Sequence, residues 1–157
     1  MTNRTPEQDG GDIQFAITTT FHLWVPGTPE PWRRAQSHGA HRYKDSATTA
    51  YQDRIRWAWR DAGSPTLGDA PFQVQVFAYF TRPASHLLTD GVTLSTAGRR
   101  AWNPSRADVD NFLKQIDALN GLAWTDDRQC LSAAASKQWA STGDEAGLRI
   151  TATRVPS

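Results

Sequence analysis

Between Phe72 and Phe80 the chain alternates without a break, Phe72, Val74, Val76, Ala78 and Phe80 against Gln73, Gln75, Phe77 and Tyr79. That two-residue period predicts a strand with one face buried. Upstream, residues 13–25 (IQFAITTTFHLWV) are rich in β-branched and aromatic side chains and stop at Pro26, which predicts another strand. Residues 130–139 and 148–155 read as two final strands joined by the turn STGDEAG.

The period lengthens to that of a helix in two places. Asp45-Ser46 can cap a helix running to Asp61 and ending at Gly63-Ser64-Pro65, with Ala47, Ala50, Tyr51, Ile55, Ala58 and Trp59 on roughly one face. Arg54, Arg56 and Arg60 fall mostly outside that stripe. Residues 109–120 are apolar at 109, 112, 113, 116 and 119 and close at Asn120-Gly121, an amphipathic helix followed by a short extended piece at 122–124. The order is β-α-β-α-β-β, a mixed β-sheet with two principal helices, class α+β or α/β, in a single domain. Residues 1–11 are expected to be a disordered leader and 12–157 the folded domain. Two stretches lack periodicity: the basic, Pro-rich loop PGTPEPWRRAQSHGAHRYK and residues 82–107, and a loop as long as the latter is either functional or mobile.

At 157 residues, with 38% hydrophobic residues and seven Trp, the chain can bury one ordinary core. No apolar run approaches the ~18 residues of a membrane span, so the reading is a soluble, cytoplasmic protein, bacterial or in the host cytoplasm if phage-encoded. Cys130 stands alone, which excludes an internal disulfide or a cysteine zinc site and leaves it as a small buried hydrophobe. Net charge is only +1, so any polyanion partner must be read from distribution. Basic side chains gather in Arg33, Arg34, His41, Arg42, Lys44, Arg54, Arg56 and Arg60, and again in Arg99, Arg100 and Arg106; acidic ones gather between 108 and 127 and toward both ends.

On the helix from Asp108, Asp110, Lys114 and Asp117 share the face away from the apolar stripe, with Asp108 at the cap. Many ordinary helices carry a capping Asp and a solvated Asp/Lys pair. Here a second pair, Asp126-Asp127, follows a short hydrophobic turn, so the chain can return and four carboxylates can converge. Such a group needs a cation, and oxygen ligands with open water positions suit Mg²⁺, or Mn²⁺ as a substitute. An EF-hand is excluded, because Phe112 and Leu113 stand where that loop needs an oxygen ligand and Gly. Carboxylate-held Mg²⁺ beside a lysine is the equipment for phosphodiester hydrolysis. The alternatives are a non-catalytic DNA-binding protein whose acidic cluster is structural, or a metal-dependent nuclease for other branched DNA or RNA. Trp57, Trp59 and Trp102 could stack on unpaired bases, although Trp59 reads as core, and a lone His86 is more often incidental.

The strings ADVDNFLK and DALNGLAWTDDRQ resemble the signature of the RusA family of Holliday junction resolvases, of phage or prophage type, and the order of elements extends the resemblance over most of residues 13–155. It implies a homodimer that binds four-way DNA junctions and, with Mg²⁺, cuts two strands symmetrically. Carried over by position, Asp108, Asp110 and Asp127 are the metal carboxylates, with Asp126 beside them, and Lys114 is the catalytic lysine. Asn111, Asp117 and Gln129 fall inside the motif. Arg33, Arg34, Arg42, Lys44, Arg54, Arg106 and Asn111 are the expected DNA contacts. Two departures stand out: Lys114 and Asp117 are separated by two residues where the family usually has three, and Trp32 stands in the basic loop where Pro and Arg usually alternate.

Overall fold

The computed structural model describes residues 19–38, 41–43 and 45–156, of which 36–38 and 41–43 are described by backbone alone. A four-stranded sheet is built from β1 (Thr20–Pro26), β4 (Phe72–Phe80), β5 (Cys130–Trp139) and β6 (Gly147–Arg154) in the order β1-β6-β4-β5. Strands β1 and β4 both run antiparallel to β6, whereas β4 and β5 are parallel. The mixed sheet with helices is expected from the hydropathy pattern, and of the two classes left open it is α+β. The last two strands are not neighbours, however. The connection at 140–146 crosses the end of β4, where the Ala140 amide donates to Phe80 O at 2.8 Å, and β6 enters on the far side.

One face of the sheet holds the core. Phe21, Leu23 and Val25 of β1, Val74, Val76 and Ala78 of β4, and Leu148, Ile150 and Ala152 of β6 are buried against the helical layer, as period-two alternation requires. The opposite face carries Thr20, His22, Gln73, Gln75, Thr151 and Thr153, with cross-strand bonds Thr20 to Thr153 and His22 to Thr151 at 3.0 Å each. Gly147 is required where β6 passes the aromatic ring of Trp24, since a Cβ there would meet the ring at 2.3 Å.

Helix α1 (Ser46–Asp61) has the expected cap: the Asp45 carboxylate accepts from the Thr48 amide at 3.0 Å. Its buried face is Thr48, Tyr51, Gln52 and Ile55, while Ala50 is exposed and Ala58 and Trp59 pack only partly. The core-facing stripe is therefore rotated toward polar positions, and Thr48 earns its place by receiving the Arg33 amide at 3.0 Å. The loop at 26–44 also differs from expectation, because a two-stranded ribbon, β2 (Gln36–His38) and β3 (His41–Tyr43), lies within it. Of the N-terminal strand expected at 13–25, residues 13–18 lie outside the described residues. Residues 82–107 contain a 3₁₀ turn at Ala84–His86 and the short helix α2 (Thr96–Arg100).

The expected helix over 109–120 is two pieces. Helix α3 (Val109–Leu113) gives way to a 3₁₀ helix at Lys114–Leu119, and the buried positions become Phe112, Gln115, Ile116, Ala118 and Leu119. The tighter winding accounts for the short spacing before Asp117: side chains three apart eclipse in a 3₁₀ helix, so Asp117 stays on the face of Lys114 with one residue fewer. Residues 121–123 form a turn rather than an extended piece, with Gly121 at φ +75° and the Gly121 amide donating to Trp124 O at 2.8 Å.

Candidate active site

Asp108 occupies the N-cap position of α3 in extended conformation, yet its side chain makes no capping bond, and it is exposed. An acidic group at a helix start usually spends its oxygens on the first-turn amides; this one keeps them for solvent. Two residues on, Asp110 is joined to Lys114 at 2.7 Å. The hydrogen bond from Lys114 holds the Asp110 carboxyl below its ordinary range. Lys114 also sits 5.4 Å from the centre of the Trp32 ring and 3.5 Å from Asn111 Oδ1.

The loop after β1 is fastened beneath this group. The Trp32 amide donates to Asn111 O at 2.8 Å, and Gln115 Nε2, fully buried, donates to Glu30 O at 2.7 Å. From the other side, Lys137 of β5 donates to Ser105 O at 2.7 Å and Ala107 O at 2.6 Å. Those carbonyls immediately precede Asp108, so the start of α3 is tied to the sheet. Below, Phe112 packs edge-on against Phe80, with ring centres 5.7 Å apart. Sequence reasoning missed Lys137 and Gln115; the one available signal was a single charge in the otherwise uncharged strand CLSAAASKQW.

Asp126 and Asp127 lie elsewhere. Asp126 caps a 3₁₀ turn, Asp127–Gln129, in a full capping box: its carboxylate accepts from the Arg128 amide, and Gln129 Oε1 receives the Asp126 amide at 2.7 Å. Arg128 grips both oxygens of Asp126, at 3.0 and 2.9 Å, and depresses its pKa well below the carboxylate range. Gln129 Nε2 donates to Gly68 O and Ala70 O, at 2.8 and 2.9 Å, fixing the turn to the start of β4. Asp127 is exposed, and its charge together with burial pushes the Cys130 thiol pKa upward, burial being the larger cause.

The two acidic pairs therefore lie toward opposite ends of β4. Phe112 sits on Phe80 and Trp124 stacks on Phe72 at 4.5 Å, at the last and first residues of the strand. Nine residues of strand span roughly 26 Å. Among the described residues no three Asp, Glu, His or Cys side chains gather as a metal-holding group. The oxygen donors suit a hard divalent cation, but the described residues of one chain do not bring three of them together.

Among the expected DNA contacts, Arg34 and Arg106 are exposed. Arg33 is paired with Glu30 at 2.6 Å, and Arg54 lies over the Tyr51 ring and donates to Pro26 O. The Arg42 side chain and Lys44 lie outside the described residues. Asn111 is half-buried under Lys114. His86 meets the Trp139 ring edge-on at 5.3 Å. Trp102 is 84% and Trp57 62% exposed, whereas Trp59 is partly buried and donates to Pro65 O at 2.8 Å.

The family model for the endodeoxyribonuclease RusA matches residues 26–151. The chain belongs to this family. No curated protein matches it significantly. As a RusA-family Holliday junction resolvase it is an enzyme that cuts DNA at four-way junctions, and the matched span runs from the loop under Lys114 through the acidic pairs to the middle of β6. Among the described residues no helix of this RusA-family nuclease is long and apolar enough to cross a membrane.

Proposed function

We propose that this protein is a Mg²⁺-dependent, homodimeric resolvase that makes paired symmetric cuts in four-way DNA junctions. The observation that carries this reading is the uncapped, exposed Asp108 beside an Asp110 carboxylate held ionised by Lys114, within a chain of the RusA family. Asp108, Asp110 and Asp127 are the metal carboxylates in this proposal, with Mn²⁺ a workable substitute. Asp126 is the weakest donor of the acidic set, because Arg128 already takes both its oxygens.

A bound divalent cation would supply an activated water and neutralise charge on the phosphate. Lys114 offers its ammonium to the developing negative charge on the phosphoryl oxygens and, through the 2.7 Å bond, keeps Asp110 deprotonated. Arg34 and Arg106, exposed and two residues along the chain from Trp32 and Asp108, are the side chains that hold backbone phosphates in this reading, positioning DNA without reading sequence. The same reading places it in the cytoplasm, where bacterial or phage four-way junctions form.

A panel of labelled four-way junction, flap, duplex and RNA substrates with Mg²⁺ tests this. Junctions should be cut at least tenfold faster than duplex, about 1.4 kcal/mol of discrimination. Equal cutting of duplex would leave a nuclease without junction selectivity, and absence of cutting with retained junction binding would leave a DNA-binding protein.

A further inference from the structure

The segment after α2 forms a short arch fastened to the sheet at both feet. Ser95 caps α2 by accepting from the Gly98 amide at 3.1 Å, and a side chain on Gly98 would strike the His86 carbonyl. Arg82 lies over the Trp139 ring at 4.9 Å and donates to Gly98 O at 3.0 Å. Trp139 Nε1 donates to Ala101 O at 2.6 Å, and Lys137 takes Ser105 O and Ala107 O. Lys137 and Trp139 are two residues apart, so they share one face of β5. Only Trp102, Asn103 and Pro104 stand between Ala101 and Ser105, and the Asn103 side chain closes the arch by accepting from the Ser105 amide at 3.2 Å.

The crown of this arch is an indole left in water. Trp102 is 84% exposed, and among the described residues its ring has no aromatic, cationic or hydrogen-bond partner. The other exposed or half-exposed tryptophans are engaged: Trp32 carries Lys114, Trp57 carries Arg60 and Trp59 donates to Pro65 O. Backbone held this firmly beneath a side chain that packs on nothing points to a ligand for the ring. Residues 91–107 contain three arginines and no Asp or Glu. Arg100 and Arg106 are exposed and make no ion pair among the described residues. A bare aromatic face among cations fits a nucleic acid. Asp108 follows six residues on, at most ~20 Å of extended chain, or about six base-pair steps. We propose that the Trp102 indole stacks on a base that has lost a stacking neighbour at the DNA branch point, with Arg100 and Arg106 on the adjoining phosphates. This rests on the nuclease reading above and gives its structure selectivity a source. An unbroken duplex covers both faces of every interior base, so the ring finds a free face only where strands part. Every base has a π-face, so the contact reads branching rather than sequence.

Three full-length variants, Trp102→Ala, Trp102→Leu and Trp102→Phe, are compared with wild type on a four-way junction carrying 2-aminopurine at the branch point and on the matching duplex. Binding and emission are read with Ca²⁺ in place of Mg²⁺, and single-turnover cutting with Mg²⁺. Trp102→Ala and Trp102→Leu should weaken junction binding and slow junction cutting by about 5–100-fold, while duplex binding stays within about twofold. The branch-point 2-aminopurine, quenched on the wild-type indole, should be at least about twofold brighter in those two complexes. Trp102→Phe keeps a ring and should stay within about threefold of wild type. The urea midpoint should not move in any of them, since nothing packs on the side chain. A leucine variant that performs as well as phenylalanine, or equal emission with and without the indole, overturns the stacking contact. Duplex binding that falls as far as junction binding overturns the branch selectivity. Wild-type cutting, affinity and emission in Trp102→Ala overturn the proposal and leave the nuclease reading intact. Quenching by a wild-type protein that does not cut upholds the stacking and fails the nuclease reading; a wild-type protein that neither binds nor cuts junctions overturns both.

Discussion

The two acidic pairs contain the same residue type within twenty positions of sequence, yet the fold uses them in different ways. Asp108 sits at the start of a helix without a side-chain capping bond, and Asp110 is paired with Lys114. Asp126 is consumed by structure, as cap, as anchor for Arg128 and as half of a reciprocal box with Gln129. Each pair stands over its own aromatic contact, Phe112 on Phe80 and Trp124 on Phe72. The difference teaches that a carboxylate's availability is set by what the local backbone asks of it, and acidic clustering in sequence says little about that.

Several substitutions sharpen this contrast, and the largest effect is expected at Asp110. Asp110→Asn should keep junction binding while cleavage falls by on the order of 10³-fold, read by gel shift and single-turnover cutting; retained cleavage by protein free of host nucleases would erase the distinction between the pairs. Phe112→Ala removes the support under the first pair, and urea titration should show a loss of about 3–5 kcal/mol. Lys114→Met should slow cutting by about 10–100-fold and move the acid limb of the pH–rate profile upward. The sign follows from the depressed Asp110 pKa: its carboxylate stays ionised as pH falls through the ordinary range, and without Lys114 it protonates sooner. An unmoved acid limb would disconnect the lysine from Asp110. The smallest effect is expected at Asp126→Asn, where asparagine still caps the turn and cleavage should change by less than about tenfold. A loss there equal to that of Asp127→Asn would make the second pair functionally uniform.

Much of the frame was legible before any coordinates. The alternation at Phe72–Phe80 and the cap at Asp45 carry their structural cause in local sequence, and both elements fall where expected. The 3₁₀ winding at Lys114–Leu119 did not announce itself, because apolar residues at 112, 113, 116 and 119 satisfy a helix of either pitch; only the shortened interval to Asp117 hinted at it. The order of strands depends on long-range pairing, and nothing local distinguishes β6 beside β4 from β6 beside β5. Within the site, the Asp110–Lys114 relation could be read from a four-residue interval. The tethers made by Lys137 and Gln115 could not, since their partners are backbone carbonyls, and a carbonyl is the same whatever residue bears it.

The Lys137 tether bears on the energetics of association. With Ser105 and Ala107 bound to β5, the ordering of the segment before Asp108 is completed when the chain folds, so in the proposed nuclease site a junction would meet Asp108 already in position. Binding at that site would forfeit little conformational entropy at this point, and the interaction energy otherwise spent on organising a loop would remain for bringing the scissile phosphate into line.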